Sequence, residues 1–377
     1  MSDLTLADLC ELVVDCKNRT PPAAAPGEAP AGFAIGTADI VDGRIRLEHA
    51  RPVGEETLRR WNARAVPREG DLVLTREAPV GRVGRVEQGM HICLGQRTML
   101  LRPHRERADS RFLHYLLRSP AIQGLLRAQA SGSTVAHLRV GQVRELRIPP
   151  VPGLDEQRAI GATLGALDDK IAVNERIAAT AMELGRARYL QVLAEADEQV
   201  RVGDVIELRY GKALPAARRI PGNVPVYGSG GIGGRHNEAL VQGPGIVVGR
   251  KGTVGALHWS EADFFPIDTT FYVARRSEAV SLQYVYFALE RLGLARMNSG
   301  SAVPGLNRER VHSLSLRIPP RAVMASFTAL ARSLFELRHV REEESRALAA
   351  LRDALLPHLV SGRLRVKDAE RLVADAT

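Results

Sequence analysis

Residues 146–150 and residues 316–320 both read LRIPP, 170 positions apart in a chain of 377 residues. The likeness extends upstream: GSTVAHLRVGQVRELRIPP at 132–150 resembles GSAVPGLNRERVHSLSLRIPP at 300–320. Earlier, GDLVLTREAPVG at 70–81 matches GPGIVVGRKGTVG at 243–255, in each case a β-branched strand, an arginine (Arg76 or Arg250) and a tight loop ending Val-Gly. LADLCEL at 6–12 matches VGDVIEL at 202–208. Three matches in the same order argue for duplication, because chance similarity has no reason to be collinear. The offset shrinks from 196 to 170, so the second copy is about 26 residues shorter. Between these anchors the copies differ, as expected of one scaffold carrying two surfaces.

The length and a hydrophobic fraction of 45% support two or more cores. No run of about 18 apolar residues occurs, and the amino terminus MSDLTLADLCELVVD is acidic where a signal peptide is basic, so a cytoplasmic protein without membrane association is expected. Cys10, Cys16 and Cys93 form no CxxC pair and read as reduced core residues. Basic residues outnumber acidic ones by 52 to 43, and nearly all are arginine, whose planar fork suits phosphate and guanine. The net charge is +5 over residues 1–153 and +4 over 197–320, with near-neutral stretches between and after. A polyanion meeting the two copies would account for this.

A helical stretch follows each copy. Residues 154–196 contain no proline and open with Asp155 and Glu156, which favour a helix start. Their stripe runs Ile160, Leu164, Leu167, Ile171, Asn174, Ala178, Ala181; the second runs Phe327, Leu330, Leu334, Leu337, Arg341, Glu344, Leu348, Leu351, Leu355. The 3-4-3-4 spacing is that of a coiled-coil seam. Antiparallel packing would set Asn174 opposite Arg341 and Glu344, fixing register. The second helix is expected to stop at Pro357 and Ser361-Gly362. Some 38 residues at about 1.5 Å each give roughly 57 Å, the length of a spacer; the plainer alternative is two amphipathic helices, each packed on its own domain. The expected organisation is a first domain at 1–153, a helix at 154–196, a second domain at 197–320, a helix at 321–366 and a tail at 367–377.

Motifs for catalysis are missing. YGSGGIGG at 227–234 contains GxGxxG, but its context lacks the long helix and the acidic residue of a dinucleotide site, so a tight turn is expected. There is no GxxxxGK[ST], no HExxH, and no Pro-Pro pair in the setting of an adenine methylase; His236 near Glu238 reads as a turn. A binding protein is the better reading. The candidates for contact with nucleic acid are Arg76, Arg82 and Arg85 in the first copy and Arg250 and Lys251 in the second, on glycine-punctuated turns. Ser133, Thr134, Ser301, Tyr210 and Lys212 are further candidates, with solvated surface residues as the alternative for each.

These residues carry a resemblance. PPVPGLDEQRAIGATLGALDDKIAVNERI at 149–177 resembles the central helix opening of the specificity subunits of type I restriction–modification systems, with its Pro-rich turn, Glu-Gln and Leu-Asp-x-x-Ile step. LRDALLPHLVSGRLRV at 351–366 is similar to the end of their second helix, and VPVYGSGGIGGRHNEAL, GRKGTVG and FFPIDTTFYV to one of their target recognition domains. RAVMASFT at 321–328 departs from the Glu-Gln opening. The resemblance implies an α+β fold: two tandem α/β target recognition domains related by a pseudo-two-fold repeat and separated by two long antiparallel coiled-coil helices. It implies a non-catalytic subunit in which each domain reads half of a bipartite double-stranded DNA site. The helices, through Ile160, Leu164, Leu167, Ile171, Asn174, Leu330, Leu334, Leu337, Leu348 and Leu351, would pair and dock two methyltransferase subunits. S-adenosylmethionine is then expected on those subunits, and ATP and Mg on motor-nuclease subunits, with no cofactor in this chain. A single-chain methyltransferase or nuclease with a fused recognition domain, and a coiled-coil protein scaffold, are the alternatives.

Overall fold

The computed structural model describes residues 4–130, 136–297 and 305–374; Ser133, Thr134 and Ser301 lie outside them. The chain forms two compact units, residues 1–172 with 346–377, and residues 173–345. Each unit thus combines one copy of the repeat with part of each long helix.

The first unit contains β1 (Cys10–Asp15), β2 (Gly32–Ile35), β3 (Leu72–Thr75), β4 (Val83–Arg85), β5 (Ile92–Leu94) and β6 (Thr98–Pro103). β1, β6, β3 and β4 lie side by side in that order, each antiparallel to the next, while β2 and β5 pair in parallel in a smaller sheet. The second unit contains β7 (Ile206–Tyr210), β8 (Val224–Gly228), β9 (Gly245–Gly249), β10 (Leu257–Ser260), β11 (Phe265–Pro266) and β12 (Thr270–Arg275). Here the antiparallel order is β7, β12, β9, β10, and β8 pairs in parallel with β11. The duplication seen in the sequence is therefore a duplication of topology.

β3 and β9 are buried at every residue, which is why both read as unbroken apolar runs: both faces of the strand are covered. Leu72 and Leu74 point into the core shared with the helix Ser110–Arg118, and Val73 into a second cluster with Ile35 and Leu100. Ile246 and Val248 likewise face the helix Leu282–Arg291, and Val247 faces Tyr227 and Phe264. Both helices are started by a side chain accepting a backbone N–H, Asp109 from Phe112 at 2.9 Å and Ser281 from Tyr284 at 3.2 Å. The extra length of the first copy falls mainly between β1 and β3, where a hairpin (Ile40–Val41 with Arg44–Ile45) and the helix Glu55–Trp61 are inserted.

The repeated LRIPP closes each copy. In the first, Leu6 N–H donates to Leu146 O (2.9 Å) and Ile148 N–H to Leu4 O (2.8 Å), with Leu146 and Ile148 buried. In the second, Ser315–Ile318 pairs antiparallel with Glu198–Arg201, again with Leu316 and Ile318 inward. The prolines that follow have no N–H to continue the ladder, and a long helix begins: Leu154–Ala194 or Arg321–Val360.

In the first unit Ile160, Leu164, Leu167 and Ile171 share a core with Leu348, Leu355 and Leu359. In the second, Met182 lies 3.6 Å from Arg338, and the Tyr189 and Phe327 rings are 6.3 Å apart, so the helices run antiparallel. The seam departs from the expected heptads. Leu330 and Leu337 are 38% and 37% exposed, and the buried stripe passes through Met324, Phe327, Ala331, Leu334 and Phe335. A helix packed at once on a partner helix and on its own copy buries a wider face at the 3.6-residue period. Leu348 is buried and Leu351 half-buried. Asn174 is buried with neither amide atom hydrogen-bonded among the described residues, and Arg341 pairs with Glu344 on its own helix at 2.5 Å. The second helix also runs through Pro357 to Val360, stopping at Gly362, whose φ of +70° ends it. The expected tail carries a helix, Val366–Ala374, that buries Ala369 and Val373 in the first unit's core; this stretch is one short amphipathic helix.

Candidate nucleic-acid interface

Matched loops join β3 to β4 and β9 to β10. Thr75 N–H donates to Arg82 O (2.8 Å) and Gly81 N–H to Thr75 O (2.9 Å); Gly249 N–H donates to Ala256 O (2.7 Å) and Gly255 N–H to Gly249 O (2.8 Å). Gly81 and Gly255, the ends of the two Val-Gly steps, both have positive φ, +92° and +74°, a conformation that favours glycine. Arg76 N–H donates to Arg97 O and Arg76 O accepts from Leu138 N–H; Arg250 N–H donates to Thr269 O and Arg250 O accepts from Leu306 N–H, all at 2.8–2.9 Å. The two arginines therefore hold the same position in the two copies, fixed from both sides by backbone.

Their neighbours differ. Asp15 at the end of β1 pairs with Met99, and Tyr210 at the end of β7 with Phe271, so Asp15 and Tyr210 are also equivalent. The Arg76 guanidinium lies 3.3 Å from Asp15, yet Arg76 Nε and Asp15 Oδ1 are enclosed without a hydrogen bond. Arg250 instead donates through Nε and Nη2 to Asp268 O, 3.2 and 2.6 Å, and sits 5.3 Å from the centre of the Tyr210 ring. Arg308 lies 5.5 Å from the same ring, and Tyr210 is 53% exposed. The segment 266–270 gathers these residues: its carbonyls also accept from the N–H groups of Lys212 (3.1 Å) and Lys251 (3.1 Å), both exposed.

Other candidates lie apart from this grouping. Arg82 turns its guanidinium to Thr37 O and Ile40 O, 2.9 and 3.3 Å, bracing the inserted hairpin. Arg85 sits at the opposite end of β4 and pairs with Glu87 at 3.0 Å. His236 is buried and accepts from Ile220 N–H at 3.0 Å, and the glycine-rich stretch is a hairpin between β8 and Gly231–His236. Among the described residues no group of three or more His, Cys, Asp or Glu is placed to hold a metal ion, and no helix is long and apolar enough to cross a membrane. Sequence reasoning missed Asp15 and Arg308. A β-bulge between Cys10 and Leu12 adds one residue to β1, so an ungapped alignment sets Val14, not Asp15, against Tyr210.

Residues 2–181 and 195–323 match the family model of the type I restriction modification DNA specificity domain. The chain belongs to this family. It is similar to the MjaIX type I restriction enzyme specificity subunit of Methanocaldococcus jannaschii, 23% identical over 364 residues, covering 84% of this chain and 83% of the relative. A shorter likeness, 25% over 126 residues, covers 33% of this chain and 26% of the EcoBI specificity subunit of Escherichia coli. The solved S subunit from M. genitalium has the same fold, with a TM-score of 0.61 over 95% of both chains at 18% identity.

The specificity domains join the long helices through motif residues whose roles the sequence left open. Gln157, of the Glu-Gln step, is buried; it accepts from Asp109 N–H at 2.9 Å and donates to Pro152 O and Arg107 O at 2.9 and 3.1 Å. Met324 stands at the matching helical turn of the second copy and packs in its core. Asp168, of the Leu-Asp-x-x-Ile step, accepts from Tyr115 Oη (2.6 Å), Arg352 (2.5 Å) and Arg118 (3.4 Å). Burial pushes its carboxyl up, but Arg352, the Tyr115 hydroxyl and Arg118 outweigh this and hold it below the ordinary range. Beside them, burial and then Arg118 push His114 down to about 3. Asp168 and Phe335 are each the fifteenth residue of their helix, and Arg352 and Gly185 each the thirty-second. The Tyr115–Asp168–Arg352 cluster of the first unit is thus replaced in the second by Phe287 packed edge to face with Phe335, ring centres 5.6 Å apart, with Gly185 making room for the Phe287 ring.

Proposed function

We propose that this chain is the non-catalytic DNA-recognition subunit of a type I restriction–modification complex, each specificity domain reading one half of a bipartite double-stranded site. The observation that carries the reading is the matched loop frame, which holds the main chains of Arg76 and Arg250 alike in two copies while their guanidinium groups meet different partners. One scaffold reading two unlike half-sites calls for this combination. Arg76, Arg250, Lys212 and Lys251 would supply phosphate contacts and salt-dependent affinity, and a few base-edge contacts the sequence preference. Specificity subunits of type I systems work in complexes with modification and restriction subunits. On this reading methyltransferase subunits bring S-adenosylmethionine and motor-nuclease subunits bring ATP and Mg, the two helices set the unread gap, and the exposed Leu330 and Leu337 belong to the docking face. A target base would be flipped into a partner's pocket.

The test is modified-base sequencing of DNA from cells expressing this chain with its cognate methyltransferase subunit, against cells expressing that subunit alone. A two-part methylated motif that requires this chain is the expected result. An assembled complex that methylates no new motif would overturn the reading.

A further inference from the structure

The equivalence of Asp15 and Tyr210 makes this position the sharpest chemical difference between the two loop frames. A carboxylate is an unfavourable group on a surface that meets phosphates, and Asp15 is offset there by an ion pair with Arg76 at 3.3 Å that lacks hydrogen-bond geometry. Its Oδ1 faces Arg76 Nε without a hydrogen bond and is enclosed, while the side chain retains 29% exposure, which leaves Oδ2 as the outward oxygen. The Arg76 main chain is held on both sides, so the counter-charge stands beside the carboxylate, and among the described residues Oδ2 accepts no hydrogen bond. In the major groove a carboxylate accepts from an exocyclic amino group, cytosine N4 or adenine N6, and finds only acceptors on thymine O4 or guanine O6.

We propose that Asp15, oriented by Arg76, is a specificity-determining residue of the first domain that accepts a hydrogen bond from a cytosine or adenine amino group in its half-site. The inference rests on the DNA-recognition reading above. The second domain has no carboxylate at this position and meets its half-site with Tyr210 flanked by Arg250 and Arg308.

Asp15→Asn, in the full chain with its methyltransferase subunit, tests this by modified-base sequencing. Asparagine keeps the shape but offers a donor as well as an acceptor, so one base pair of one half-site becomes degenerate, C with T or A with G. Discrimination there falls by roughly 5- to 150-fold, and the other half-site is unchanged. Arg76→Lys keeps a cation beside Asp15, and its motif keeps the same bases at lower methylation occupancy. An unchanged motif in Asp15→Asn, with wild type methylating its bipartite site, overturns the assignment of Asp15 and leaves the recognition reading intact. Loss of both half-sites together, with the complex still assembled, also overturns it, because the residue would then be structural. Absence of any motif from wild type is the separate failure of the recognition reading.

Discussion

Removing the negative charge at Asp168 tests what joins the first specificity domain to the helices. The carboxylate is 13% exposed and faces Arg352 at 9% and Arg118 at 14% side-chain exposure. Asp168→Asn therefore leaves Arg118 without a carboxylate and Arg352 with only the exposed carboxylate of Asp353, two guanidinium groups that water reaches poorly. Breaking a buried pair from one side costs about 3 to 5 kcal/mol, most of it the uncompensated partner charge. Arg352→Met removes one of those cations and leaves Asp168 with Tyr115 and Arg118, for a cost of about 1 to 3 kcal/mol. If the groups act as a unit, the double variant loses less than the sum of the two single losses, with a coupling of about 0.5 to 3 kcal/mol. The two tryptophans separate the units, Trp61 lying in the first and Trp259 in the second. In a Trp259→Phe background, urea unfolding followed by Trp61 fluorescence reports the first unit alone. A double-variant loss equal to the sum within about 0.5 kcal/mol, or a transition that Asp168→Asn does not move, would refute a coupled cluster.

His114 should make the same unit sensitive to acid. Its folded value is lowered to about 3 from 6.5, so between those pH values the unfolded chain binds the extra proton. Stability is then lost as pH falls below 6.5, by about 1.4 kcal/mol per unit and about 2 kcal/mol at pH 5; His114→Gln should flatten that slope in urea titrations at pH 7 and 5. Arg76→Ala and Arg250→Ala are each expected to lower methylation of motifs altered in one half-site only, read by sequencing against a panel of variant sites; equal loss at both halves would count against modular reading. Leu330→Glu and Leu337→Glu, at positions 38% and 37% exposed, should each cost no more than about 1 to 2 kcal/mol in urea unfolding while reducing co-purification with the methyltransferase subunit.

The duplicated architecture was legible because its anchors are constraints that tolerate little change: the Val-Gly step needs glycine at positive φ, and LRIPP needs two inward apolar residues before a stop. The long helices were legible from their periodicity, but not which face was buried. Phe335 and Ala331 outcompete Leu330 and Leu337 for the interior because the helix must cover aromatic residues of its own copy, which a heptad count cannot register. Asp15 was hidden by a one-residue bulge, since strand pairing rather than residue count decides what stands beside Arg76. Asp168 was hidden differently. It lay within a recognised motif, but its partners Tyr115 and Arg352 are 53 and 184 positions away, and no local pattern announces such a meeting.

The contrast between the two junctions has a structural consequence for a duplicated chain. Two copies of one scaffold, each followed by a long helix, could in principle exchange helices, and like junctions would not discriminate against it. Here an exchange would set Asp168 and Arg352 in the places of Phe335 and Gly185, among Trp259, Tyr286 and Phe287, an ion pair in an aromatic pocket without Tyr115 and Arg118, and with an arginine side chain where even a Cβ would meet the Phe287 ring. It would also set Phe335 in the place of Asp168, leaving Arg118 without the carboxylate it pairs with. One error strands the Arg118 charge and the other forces an ion pair into a space shaped for aromatic rings, both costly mismatches, so the polar cluster in one unit and the aromatic one in the other act together to specify which helix segment packs on which domain. On the proposed reading the loops diverge to meet different bases, whereas the junctions diverge so that each helix segment packs on its own domain.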